Sequence, residues 1–188
     1  MGFTLERARL LPLALVAAIA TAILLGGVTA PPAEAANACK RHGDRQPQNL
    51  TKKQARNAVI CLVNRKRDRR GKPDLARDRR LVDAAQRHSY RMAKKNCFSH
   101  QCPGEASLLT RLKKVGYIVS GLSRWAYGEN IALGTATSGT PRKIVNAWMG
   151  SSGHRANILS STFRDIGVGF RADGSKGFYT TDFGLRIR

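Results

Sequence analysis

The chain has 188 residues, and its 33 Lys+Arg stand against 12 Asp+Glu, a formal net charge of +21. No internal repeat and no second composition block appears, which excludes a repeat array and leaves room for one domain behind a leader. The cationic surplus either recruits anionic partners by long-range attraction and counterion release or serves solubility alone.

Residues 1–35 are expected to be a secretory signal peptide. Arg7 and Arg9 precede an apolar run from Leu10 to Val28, and Ala33 and Ala35 form an A-x-A site with cleavage after Ala35. An uncleaved single-span anchor is the alternative, because the apolar run is long. Either way the remainder is placed outside the cytoplasm, secreted or envelope-associated. Residues 36–49 are polar and basic and are expected to be extended, pinned by a cysteine. Residues 50–188 make one domain, and a monomer is expected.

A helix is predicted from Thr51, whose spacing to Gln54 fits a capping box, with Ala55, Ala58, Val59, Leu62 and Val63 on one face. It frays into the charged loop RKRDRRGKPD. There Arg65, Lys66, Arg67, Arg69, Arg70 and Lys72 are the expected surface for an acidic wall polymer or an anionic membrane. Few aromatics interleave with these charges, so specific nucleic-acid binding is not signalled. A second helix starts near Asp78 and carries His88 on its apolar stripe, as a hydrogen-bonded packing residue. Residues 105–115 read as a shorter helix, followed by a mixture of strand and loop to Gly134. Thr140 and Pro141 then open another helix. The segments DIGVGF and GFYTTDFG flank the turn DGSK as a hairpin. Helices first and strands last indicate an α+β arrangement with an antiparallel sheet.

All four cysteines follow the leader, which reads as two disulfides in an oxidising compartment. Of three pairings, the local one is favoured: Cys97 with Cys102 and Cys39 with Cys61. The stretch CFSHQC also permits a zinc cluster with His100, although its spacing is unusual for zinc.

Only Glu105 and Glu129 remain as glutamates after the leader. Glu129, in YGENIALG, is placed where a carboxylate needs a cationic neighbour. His154, in SSGHRANIL, falls in the first turn of a short helix if Ser152 caps it, where the helix dipole favours the neutral ring.

The ordered blocks NCFSH, GENIALG, WMGSSGHRANIL, DIGVGF and YTTDFG resemble the bacterial branch of the CAP superfamily, the cysteine-rich secretory and pathogenesis-related proteins. The resemblance runs from about Asn57 to Phe183. It implies an α-β-α sandwich whose cleft is lined by two histidines and two glutamates. By motif these fall on His100, Glu129 and His154, while the second glutamate position holds Ser151. Asp182 is the suggested substitute, and Ser151, Asp182 and Asn130 are expected to line the cleft.

The implied activity is binding: a divalent cation, zinc or magnesium, on His100, His154 and Glu129, with a lipid or other small ligand. The alternative is a metal-assisted hydrolase in which Glu129 is the base and His154 its catalytic partner. No nucleophile motif supports turnover.

Overall fold

In the computed structural model, residues 33–188 are described; the leader expected at 1–35 lies almost wholly outside them. Among the described residues, no helix is long and apolar enough to cross a membrane.

Helix α1 (Ala33–His42) and a 3₁₀ turn at Pro47–Asn49 make up the segment expected to be extended. The correction has a clear cause. Ala38 and Cys39 are buried, Cys39 is disulfide-bonded to Cys61 across a Cα separation of 5.5 Å, and Arg142 grips the following turn. Arg142 donates to both carboxylate oxygens of Asp44 (2.7 and 2.9 Å) and to the Cys39 carbonyl (3.0 Å). These long-range ties, with Gly43 accepting from the Arg142 amide, could not be read from local polarity.

Helix α2 (Lys52–Asp68) has the expected capping box: Thr51 Oγ1 accepts from the Gln54 amide, and the Gln54 side chain accepts from the Thr51 amide. The helix runs through the first part of the charged run, so Arg65, Lys66 and Arg67 are helical rather than in a loop. Arg65, Arg69 and Arg70 are exposed and Lys66 is half-buried. Lys72 donates to Ser161 Oγ at 2.7 Å. Arg67 departs from the expected surface altogether. It is fully buried, and its guanidinium donates to the carbonyls of Pro73, Ile158 and Ser160 at 2.8, 2.8 and 2.9 Å. A buried guanidinium is retained when carbonyl dipoles replace its water.

A two-residue strand β1 (Ala76–Arg77) leads into α3 (Arg79–Lys94), capped by Asp78 as predicted. Helix α4 is confined to Leu108–Lys114, because Ser107 caps it and Glu105 is drawn away to other partners. The stretch expected as strand and loop contains a long strand, β2 (Arg124–Thr135). Helices α5 (Pro141–Gly150) and α6 (Ser152–Leu159) follow, and the predicted hairpin is β3 (Asp165–Asp173) with β4 (Lys176–Ile187).

The sheet order is β1-β3-β4-β2, antiparallel except for β1 beside β3. Its two faces are set by the alternation in DIGVGF. Ile166, Val168 and Phe170 enter a core shared with α2 and α5 residues such as Val59, Val63, Val145 and Trp148. The intervening glycines lie under α3. A Cβ at Gly169 would come within 2.1 Å of the Ala85 carbonyl oxygen, and one at Gly167 within 2.1 Å of the Leu81 carbonyl carbon. Helix and sheet backbones are therefore in contact, with helices on both faces: an α-β-α sandwich.

Candidate functional site

His100 stands in the six-residue segment closed by Cys97 and Cys102, whose Cα atoms are 6.0 Å apart. The ring is exposed, yet its Nδ1 donates to Glu129 Oε1 at 2.8 Å. Glu129 rises from β2, buried beneath it. Its second oxygen accepts from Arg111 Nη2 at 2.9 Å, and the same nitrogen donates to the His100 carbonyl at 3.0 Å. Arg111 thus ties the clamped segment to the strand.

Burial by itself would push the Glu129 carboxyl upward. The His100 hydrogen bond and the charges of Arg111, His88 and His100 outweigh that, and hold it below its ordinary value. A carboxylate so stabilised, with both oxygens occupied, is a poor proton acceptor at neutral pH. That argues against Glu129 as a catalytic base.

His154, on α6, is half-buried. Burial first, and then the nearby charge of His100, lower its pKa, so the ring favours its neutral form. The cap position belongs to Ser151 rather than Ser152, and Ser151 makes no capping hydrogen bond with its side chain.

Two residues expected to line the cleft do not reach solvent. Asn130 is wholly buried: its Nδ2 donates to the His154 carbonyl at 3.0 Å and its Oδ1 accepts from Asn157 at 2.9 Å. It is a strut that sets where His154 stands. Asp182 is likewise wholly buried, directly across from Glu129 in the β2–β4 register. Desolvation, and then the Glu129 charge, raise its pKa well above the ordinary carboxyl range.

Sequence reasoning missed Arg111, whereas His88 is the buried, hydrogen-bonded packing residue it expected. His88 is buried, and its Nδ1 donates to Glu105 at 2.9 Å. Arg111 had a legible signal, since it falls three residues after Leu108 and one before Leu112, on the apolar stripe of its helix.

Among the described residues, no three His, Cys, Asp or Glu side chains converge as a metal-ligand cluster. The donors fit a cation in a narrower way. With His100 Nδ1 committed to Glu129, its Nε2 is the ring nitrogen left to face a ligand, alongside the His154 ring, which is held toward its neutral form. A carboxylate behind an imidazole is the outer-shell arrangement that orients a metal-bound histidine. Imidazole donors suit zinc, whereas magnesium prefers an oxygen shell.

Residues 60–183 match the cysteine-rich secretory protein family. The uncharacterized protein YkwD of Bacillus subtilis is 40% identical over 117 residues, which cover 62% of this chain and 42% of that protein. Among solved structures, an extracellular protein containing an SCP domain from Bacillus anthracis superposes with a TM-score of 0.60 at 32% identity, covering 73% of this chain and 41% of that one. An outer surface protein from Borrelia burgdorferi shares the fold, with a TM-score of 0.62 at 17% identity over 73% of this chain and 96% of that one. The chain spans less than half the length of YkwD and of the Bacillus anthracis protein.

Proposed function

The chain belongs to the cysteine-rich secretory protein (CAP) family, and from that premise we propose that it is a secreted or envelope-associated binding protein. Its cleft takes zinc between His100 and His154, with Glu129 orienting His100 from behind, and a lipid or other small ligand beside it. The exposed cationic surface engages anionic polymers. The observation that carries this reading is the 2.8 Å bond from His100 Nδ1 to Glu129, which leaves Nε2 to face a ligand, while the His154 ring is held toward its neutral form. Support for a ligand with an apolar part comes from Phe98, 54% exposed beside His100, and from Trp125 and Tyr127. Those two rings are stacked at 5.8 Å on the strand that carries Glu129. The two disulfides suit an oxidising compartment outside the cytoplasm.

The test is a zinc titration by calorimetry of the wild type, His154→Ala and Glu129→Gln. Removal of His154 is expected to abolish binding. Glu129→Gln keeps an oxygen for His100 but loses the charge, and affinity falls by about tenfold. Equal zinc binding by wild type and His154→Ala refutes the reading. Tryptophan emission during titration with a short-chain lipid reports the second ligand through Trp125.

A further inference from the structure

A groove of about 640 Å³ opens between α3 and α4, and seven of its thirteen lining residues are Lys or Arg. Arg87, Arg91, Lys94 and Lys95 descend from α3, Lys114 faces them from α4, and Lys52 closes one end. The volume lies in the range of small-molecule sites. The one acidic residue in the lining is Glu105, whose carboxylate is already taken by His88 Nδ1 at 2.9 Å and the Cys102 amide at 3.1 Å. Of the groove's own cations it pairs with Arg91, whose Nε lies 3.6 Å from Oε1.

Arg111 also lines this groove. It is 7% exposed, and only its Nη2 has partners; Nε and Nη1 are buried without a hydrogen bond to any described residue. Two unmet guanidinium donors at a buried position lose free energy unless an acceptor reaches them. The two donors lie on different edges of the planar guanidinium, so each is matched by a separate anionic oxygen.

We propose that this groove is a binding site for a ligand bearing two or more phosphate groups, with one phosphate on the free donors of Arg111 and the others on the Lys and Arg rim. The number of unneutralised cations around one groove calls for several negative charges on the occupant. A nucleobase is not part of the recognition. Tyr90, the aromatic residue in the lining, is flanked by Lys94 at 5.9 Å and Arg171 at 5.7 Å from its ring centre, so its faces are engaged by cations. This site rests on the reading that the positive surplus binds anionic partners. It narrows that reading to one place and shares Arg111 with the zinc cleft.

Tripolyphosphate is titrated calorimetrically into the full-length chain, a triple variant Arg87→Gln, Lys94→Gln, Lys114→Gln, and a control triple variant Arg65→Gln, Arg69→Gln, Arg70→Gln. All six substituted residues are exposed, and thermal melts verify that each variant is folded. The groove variant is expected to lose at least about tenfold in affinity while the control stays near wild type. Arg111→Lys retains a cation for Glu129 but loses the free Nε and Nη1 donors, and weakens binding further.

Equal losses in the two triple variants overturn the groove and leave only diffuse charge attraction. No binding by the wild type overturns the groove and the polyanion reading together, with zinc binding unaffected. Co-sedimentation with phosphatidylglycerol vesicles against neutral vesicles separates a lipid headgroup from a free or polymeric phosphate as the source: groove-dependent sedimentation identifies the headgroup.

Discussion

Glu129 and Asp182 sit opposite one another in adjacent strands, both buried, and only one of them is matched with donors. Glu129 takes donors from His100 and Arg111, whereas neither Asp182 oxygen meets a donor from the described residues. Burial, and then the Glu129 charge, favour the protonated form of Asp182.

That assignment gives a pH dependence. The folded-state pKa of Asp182 lies well above the ordinary carboxyl value of the unfolded chain. Between those two values the native state holds a proton that the unfolded chain has released, so stability falls as pH rises through the window. Asp182→Asn removes the titration and keeps the shape. Thermal melts are expected to show the variant more stable than wild type by about 3 °C or more at pH 8, the gap closing toward pH 4. A constant difference at all pH values contradicts a raised Asp182 pKa.

Arg111 is the cation that permits Glu129 to stay ionised in the interior. Truncation to Ala leaves that carboxylate without its charge partner and releases the His100 segment from its anchoring donor. The expected loss is about 3–5 kcal/mol, measured by urea unfolding. Glu129→Gln in the same background should recover part of it, a coupling that two independent sites would not show.

Gly169 is set by contact, since an added methyl would lie 2.1 Å from the Ala85 carbonyl oxygen. The neighbour is helix backbone, which cannot step aside as a side chain can. Gly169→Ala should cost about 3 kcal/mol or more and lower expression. Gly153, with nothing within 4 Å of an added Cβ, is the control and should tolerate Ala with little change.

The two disulfides should separate stability from site geometry. Cys39–Cys61 spans 22 residues and joins α1 to α2, so replacing the pair with Ser is expected to cost about 3 kcal/mol in chemical denaturation. Cys97–Cys102 spans 5 and closes a small loop, with a smaller global effect. Its loss should appear as weakened zinc binding at His100, read by the calorimetric titration already described.

Much of the architecture was legible because local chemistry dictates it. The Thr51 capping box, the Asp78 cap, Thr140–Pro141 and the DGSK turn are each decided within a few residues. The order of His100, Glu129 and His154 was legible from motif resemblance, and the structure pairs the first two directly.

What tertiary structure alone decided were the fates of charged and polar groups. Arg67 lies in a run of exposed arginines yet is buried, because three carbonyls from distant segments meet there. Asn130 and Asp182 belong to segments that mark the site, but they work beneath its surface.

Composition and periodicity determine which side chains leave water and which backbones form helices and strands. They do not determine which ionised group meets which partner, because that depends on distances of a few ångströms between residues far apart in the chain. Electrostatic energies in a low-dielectric interior change steeply over such distances. Hence the family, the sandwich and the histidine motifs were written in the sequence, while the state of Asp182, the role of Arg111 and the basic groove beside it were decided by packing.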